Sequence, residues 1–424
     1  MTIAPNVKQK IVGIVTLLII FTILGALFIF DQPHNSELTA YEIQVLKIFE
    51  DAKVQFERTR KVSLPSDIKL FVYTKQQAID RWSEELSGVG TSNVLRQEII
   101  YKSLFLMDEN DSFDGVIEEW ISSWTAVSVG TEIYVIYENF WPWDMPDAEA
   151  VLIHELTHVW QYSLPASTSH DVNMAYTALL EGDAAYMADY YKVQYNSSFC
   201  SNYAADNLFV LPVFPRLNTI HPSVSDTVTL LNLFPYVKGK TFVSAIIDNG
   251  GWDRLNQCYL PAYTPNTSAQ ILHPDKYFAC ETAIYVLTPA MPVDNVWTRV
   301  PNSYGYLTDT YGEYFIYVML NRWLSDSQAQ EAASGWVGDS FSYYETDCDF
   351  LFVWNITWNS IQGASVFTQA FIDMLHFAQA NPQGATSWYT NGRYLTLIWD
   401  QNTKSTLILC SNNQAVIDSS FFMY

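Results

Sequence analysis

The sequence is short of basic residues and of cysteines, and each shortage argues against a class of function. Lysine and arginine number 22 against 45 aspartates and glutamates, a formal net charge of −23 over 424 residues. Because a nucleic-acid-binding face must be basic, we expect no nucleic-acid partner. The five cysteines form no C-x-x-C pair, which argues against a cysteine-based metal knuckle. The chain also lacks internal repeats and low-complexity tracts.

Charge is absent altogether from residues 11–30, a run of twenty positions that follows Lys8 and Lys10. At about 1.5 Å per residue a helix of this length spans about 30 Å of hydrocarbon. A cleaved signal peptide would have a shorter apolar run that ends in small residues, whereas this one ends in Phe28-Ile29-Phe30. We therefore predict an uncleaved single-pass anchor. Acidic residues follow the run, so the positive-inside rule places residues 31–424 outside the cytoplasm, at the cell surface.

The segment 150–162, AVLIHELTHVWQY, contains the most informative motif. His154 and His158 lie four positions apart, so on a helix both imidazoles share one face and can bind one metal ion. Glu155 is turned about 100° from His154, where it can accept a proton from water without binding the metal. The flanking residues are uncharged, and burying three polar groups in such a helix is costly unless they are paired or metallated. We favour a metal site over two core histidines.

A catalytic zinc ion usually takes three protein ligands, and we expect the third to come from a second helix. Glu181, in ALLEGDAAYMADYY, follows His158 by 23 residues. The small residues around it predict a close approach of this helix to the first: Ala178, Gly182, Ala184 and Ala185. Asp183 points away from Glu181 and is interpreted as a supporting residue. His170 is a weaker candidate for the third ligand.

His154-Glu155-x-x-His158 with Glu181 resembles the gluzincin group of zinc metallopeptidases. In that group an aspartate usually follows the glutamate ligand by four residues, and this sequence has Ala185 there. The EGDA form is similar to a little-characterised family of exported bacterial and archaeal metallopeptidase-like proteins. Four further blocks, in the same order, resemble that family: FPYVKGKTFV, NGGW, SAQILHPDKY and ASGWVGDSF. The resemblance implies one Zn²⁺ bound by His154, His158 and Glu181, and it covers residues 125 to 380.

Residues 36–60 and 311–333 are predicted to be helical, and residues 68–74 are predicted to form a strand. A helix that begins near residue 235 is predicted to end at Asn249-Gly250-Gly251. These mixed patterns predict an α+β fold. We predict a cytoplasmic tip and transmembrane helix at 1–30, and a helical stem at 31–65. A zincin-like domain with a short β-sheet and the active-site helices follows at 66–300, and a C-terminal α+β segment at 301–424 packs on it. The strand pair predicted at 125–138 lies beside the motif helix, where the gluzincin pattern suggests that an edge strand pairs with extended substrate.

Together these features predict a membrane-anchored zinc metallopeptidase that hydrolyses peptide or protein substrates, with Glu155 as the general base. His273 and Tyr277 are candidate donors to the oxyanion, although a loop histidine is more often simply solvated. One alternative is a non-catalytic surface or envelope protein whose metal is structural. Another keeps the metal chemistry but acts on a non-peptide amide or ester. The sequence does not indicate an oligomeric state.

Overall fold

The computed structural model describes residues 39–87, 91–113, 116–195, 226–289, 296–399, 402 and 404–421. These residues form an α+β protein with a helical N-terminal half. The helices are α1 (Ala40–Arg60), α2 (Lys75–Ser87), α3 (Thr91–Ser103), α4 (Val116–Ser123), α5 (Met145–Trp160), α6 (His170–Tyr195), α7 (Asp226–Gln257), α8 (Ser268–Leu272), α9 (Pro274–Phe278), α10 (Gly312–Asn321), α11 (Asp326–Ala333), α12 (Ile361–Phe377) and α13 (Gln414–Phe421). The strands are β1 (Lys69–Tyr73), β2 (Ala126–Val129), β3 (Glu132–Ile136), β4 (Thr298–Val300), β5 (Trp336–Glu345), β6 (Phe350–Trp358), β7 (Asn381–Pro382), β8 (Ser387–Thr390), β9 (Arg393–Trp399) and β10 (Ser405–Ser411).

A three-stranded mixed sheet of order β1-β3-β2 supports the motif helix. β1 pairs parallel with β3, and β2 pairs antiparallel with it, which leaves β2 at an edge. α1 and α5 cover the sheet, and Ile48, Phe49 and Phe56 of α1 share a hydrophobic core with α5. A capping box of Thr39 and Glu42 starts α1, since each side chain bonds the other residue's backbone. The helix predicted as a stem is therefore packed into the body of the protein.

α6 lies between α5 and α7 and is the central helix of this half. Its contact with α7 is made through glycines: a Cβ at Gly182 would overlap the backbone of Gly239, and one at Gly239 would overlap the carbonyl of Ala178. Only glycine permits backbones to approach so closely. The predicted small-residue contact exists, but at Gly182 and Ala178 the partner is α7 rather than α5. The α5–α6 contact instead uses larger residues such as Met187 and Tyr191.

The C-terminal part forms a seven-stranded antiparallel sheet of order β4-β5-β6-β10-β9-β8-β7. α10 joins this sheet to the helical half, because its residues share one hydrophobic core with α6, α7 and β6. Asp339 of β5 caps the start of α10 by accepting the backbone N–H of Tyr311 and of Gly312, and it also accepts the indole N–H of Trp336 and of Trp354. The two parts are thus connected through a buried carboxylate as well as through apolar contacts.

Several element boundaries differ from the sequence-based expectation for local reasons. The helical stretch predicted at 311–333 is two helices, because α10 ends at Asn321 and Ser325 starts α11 in a capping box with Gln328. The predicted stop at Asn249-Gly250-Gly251 is confirmed, because Gly250 and Gly251 leave the helical conformation, Gly251 with a φ of 66°, and a second helical segment of α7 follows them. None of the helices in the described part of the chain has the length and apolar character needed to cross a bilayer. The predicted anchor at 11–30 lies outside those residues.

Candidate metal centre

α5 presents His154 and His158 on one buried face. Pro146 occupies the first turn of the helix, where its missing N–H has no helical partner to lose. One helical turn separates the two histidines, and their rings lie 4.8 Å apart between centroids at an angle of 83°. The Nε2 atoms of the two rings face each other at 3.1 Å. The helix therefore holds two imidazole nitrogens at one point.

Glu181 of α6 completes a three-atom cluster with these nitrogens. Its Oε2 lies 3.4 Å from Nε2 of His154 and 3.4 Å from Nε2 of His158. Ligand atoms about 2.0–2.1 Å from a tetrahedral zinc ion lie about 3.3–3.4 Å from one another, so the triangle has the dimensions of one face of such a site. Oε2 is buried and has no hydrogen-bond partner of normal geometry among the described residues. The cluster fits a metal ion, because a cation would satisfy an oxygen that the described protein atoms leave unpaired.

The charges of the cluster are strongly coupled. Burial alone would lower the pKa of His158, but the Glu181 carboxylate outweighs burial and raises this pKa to about 9. Burial would raise the pKa of Glu181, but His158 and His154 outweigh it and lower this pKa to about 2. The carboxylate thus favours the protonated form of the imidazole. A divalent cation would compete with that proton for the same atoms.

Gln161 orients His158, and the sequence reasoning did not identify it. Its Oε1 lies 2.9 Å from Nδ1 of His158, and its amide donates to the carbonyl of Leu180 at 2.8 Å. Gln161 thereby connects the end of α5 to α6 next to Glu181, and it leaves Nε2 of His158 free to bind metal. The sequence signal that could have identified Gln161 is its spacing, because a residue three positions after His158 can reach the same face of the helix. Nδ1 of His154 has no such partner among the described residues. Ala185, at the position where the gluzincin pattern has an aspartate, is buried and has no carboxylate that could bond a histidine.

Two further side chains face the cluster. Glu155 is 3% exposed, and its charge acts on His158 and on Tyr236 of α7. Burial raises the pKa of Tyr236 well above its usual value, and the carboxylates of Glu181 and Glu155 raise it further. The Tyr236 hydroxyl also forms a hydrogen bond with Glu181. Tyr236 belongs to the FPYVKGKTFV block, which was the only sequence signal for it.

The predicted oxyanion donors are engaged elsewhere in the structure. Nε2 of His273 lies 2.6 Å from Glu313, which also pairs with Lys276 at 2.8 Å. The Tyr277 hydroxyl donates to the carbonyl of Tyr263 at 2.6 Å and lies 3.2 Å from the Cys258 thiol. No described contact joins His273 or Tyr277 to the cluster. Tyr277 is buried against α7, where its ring lies 5.1 Å from that of Phe242.

His170 and Asp183, which were also considered from the sequence, contact residues outside the cluster. His170 opens α6, eleven residues before Glu181, and its ring packs against Tyr311 and Phe315 rather than reaching the cluster. Asp183 forms a buried ion pair with Arg60, from Oδ2 to Nη2 at 2.9 Å, and its Oδ2 also accepts the Tyr259 hydroxyl at 2.6 Å. Asp183 therefore joins α1 to α6, two residues along the chain from Glu181.

Parts of this chain are similar to a known family and to a solved structure. Residues 301–415 match a family described as a domain of unknown function (DUF8575). A crystal structure from Chloroflexus aurantiacus, described as "a putative hydrolase with a novel fold", is similar with a TM-score of 0.33 and 14% sequence identity, over 58% of this chain and 92% of that chain. No curated protein matches the chain. The family match lies outside the cluster, and so weak a structural similarity supports no argument about function.

Proposed function

We propose that this chain is a zinc metallopeptidase that residues 11–30 anchor in a membrane, with the described residues outside the cytoplasm. The observation that carries the proposal is the convergence of His154, His158 and Glu181 upon one point, with the Glu155 carboxylate beside it. Two imidazoles and one carboxylate are a ligand set typical of catalytic zinc, which leaves one coordination position open. When bound, the ion supplies Lewis-acid chemistry that polarises a carbonyl and acidifies water.

The chain's own residues have separable roles in this proposal. Glu155 accepts a proton from the attacking water and passes it to the leaving amine. Gln161 fixes the ring orientation of His158 through Nδ1. The Tyr236 hydroxyl, already within hydrogen-bonding reach of Glu181, can donate to the oxygen that becomes negatively charged. β2, an edge strand that packs against α5, is the strand for which we propose pairing with extended substrate.

Glu155→Gln tests this assignment, because it removes the base but keeps the shape of the side chain. We expect the purified variant to retain its zinc by elemental mass spectrometry and to lose hydrolysis of a fluorogenic peptide library by at least about 100-fold. Glu50→Gln on the exposed side of α1 is a matched control, and it should behave as wild type. Full hydrolysis by Glu155→Gln would refute the role of Glu155.

Burial of the cluster favours a second candidate function, a surface or envelope protein with a structural metal. The side chains of His154, His158 and Glu181 are only 3%, 9% and 4% exposed, as in structural sites that exclude water. A zinc-binding hydroxamate separates the two functions, because it needs an open coordination position. It should raise the melting temperature of a catalytic centre and leave that of a closed structural site unchanged.

A further inference from the structure

An exposed aromatic surface lies on the loop between β3 and α5. Tyr137, Trp141 and Trp143 are 53%, 67% and 51% exposed, although they occur within seven residues of one another. Large exposed aromatic groups that lie close together are rare on soluble surfaces and mark sites of interaction. We call these three residues the aromatic loop surface.

The loop is held in place rather than free. Phe140 is buried in the core beneath it, and its backbone carbonyl accepts the hydroxyl of Tyr41 at 2.9 Å. Asn139 donates to the carbonyl of Trp124 at 2.6 Å. The exposed rings are therefore presented on a fixed backbone, which lowers the conformational entropy lost when they bind something.

The same loop contacts the start of α1. The rings of Tyr41 and Tyr137 lie 4.7 Å apart, and the Gln44 amide reaches the carbonyl of Pro142 at 3.4 Å. α1 begins at Ala40, and eight residues lie between Phe30, the end of the apolar run, and Thr39. The nine Cα–Cα steps from Phe30 to Thr39 span at most about 30 Å, so a membrane anchor at 11–30 would keep this loop close to the bilayer surface.

The chemistry of the loop fits the interface of a bilayer. Tryptophan and tyrosine prefer the headgroup region, where one part of the ring system is apolar and the other is hydrated. The segment 137–146 has no basic residue, and its charged side chains are Glu138 and Asp144. An anionic lipid would be repelled by these carboxylates, whereas a zwitterionic headgroup would not.

We propose that the aromatic loop surface rests on a zwitterionic membrane interface and orients the protein on the bilayer that carries it. This inference depends on the membrane anchor of the proposed function and is independent of the metal chemistry. Trp141 and Trp143 insert at the level of the headgroups. Ile43 and Leu46, which are exposed on α1, flank the contact.

Tryptophan fluorescence offers a direct test, because no tryptophan precedes Trp82 and the anchor itself is silent. The full chain is reconstituted in phosphatidylcholine vesicles, with and without lipids brominated near the glycerol end of the acyl chain. Two of the 14 tryptophans should be quenched, which is about one seventh of the emission if all contribute equally. Trp141→Phe/Trp143→Phe should abolish this loss. The matched pair Trp297→Phe/Trp399→Phe, at half-buried positions of the C-terminal part, should keep it.

Flotation of the vesicles separates the possible failures. A chain that does not float after alkaline washing has no anchor, which overturns both the anchor and the aromatic loop proposal. A chain that floats with unquenched tryptophan, or with equal quenching in the Trp141→Phe/Trp143→Phe variant, overturns the aromatic loop proposal alone and indicates another partner for the surface. Stronger quenching in phosphatidylglycerol than in phosphatidylcholine would contradict the zwitterionic preference.

Discussion

Arg60→Met is expected to be among the most destabilising single changes in the protein. The Arg60 and Asp183 side chains are both fully buried, and Nη2 of Arg60 lies 2.9 Å from Oδ2 of Asp183. The guanidinium also lies between two indole rings, 4.5 Å from the ring centroid of Trp160 and 4.4 Å from that of Trp252. Methionine keeps most of the apolar stem and removes only the charge and its contacts.

The magnitude follows from what the change leaves behind. Removing one partner of a buried ion pair costs about 3–5 kcal/mol, because the other charge stays buried. The Tyr259 hydroxyl still donates to Asp183, which places the expected loss near the lower end. Losing two cation–π contacts adds about 1 kcal/mol. We therefore expect the free energy of unfolding to fall by about 4 kcal/mol.

Urea unfolding of the full chain in detergent, followed by tryptophan fluorescence, measures this loss. With a slope of about 3 kcal/mol per molar urea, the midpoint should fall by about 1.3 M. Arg58→Met is the matched control, because Arg58 is on the same helix and exposed, and it should change stability by less than about 0.5 kcal/mol.

A second variant tests whether the unpaired charge of Asp183 causes the loss of stability. Arg60→Met/Asp183→Asn removes the stranded charge as well, so it should be more stable than Arg60→Met alone. A double variant that is less stable than the single one, or an Arg60→Met midpoint within error of Arg58→Met, would show that the buried charge is not the source of the effect.

Three further changes test other parts of the structure. Gln161→Ala should weaken zinc binding by about 10–100-fold in competition with a fluorescent chelator, and unchanged affinity would contradict its role at His158. Gly182→Ala should destabilise the protein by about 1–3 kcal/mol or more in chemical denaturation, because its Cβ overlaps the Gly239 backbone; Gly384→Ala, in open space, should be neutral. Burial lowers the pKa of His170 to about 3, whereas the pKa of a histidine in the unfolded chain is about 6.5. Between these two values the unfolded state binds more protons than the folded state, so the free energy of unfolding falls as the pH is lowered. The melting temperature of His170→Phe should therefore fall less than that of the wild type between about pH 7 and about pH 5.

Much of the fold could be predicted from local pattern. The helix predicted at 36–60 and the strand predicted at 68–74 appear as α1 and β1, each within a few residues of the expected bounds. These segments have clear periodicity and strong end signals, such as the capping box at Thr39. The stretch 311–333 was harder, because its two helices are separated by a short turn that carries no glycine or proline.

The candidate site likewise has some features that local sequence predicts and others that depend on tertiary packing. That His154 and His158 share a helical face, with Glu155 next to them, could be predicted from the local sequence, because residues four positions apart lie on the same side of an α-helix. Three features could not be predicted in this way: Gln161 bonds α6, Tyr236 of α7 interacts with Glu181, and His273 and Tyr277 form their hydrogen bonds with other residues. Those outcomes depend on how helices distant in sequence pack, and packing is set by the sum of many contacts, such as the Gly182–Gly239 approach, that no local pattern contains.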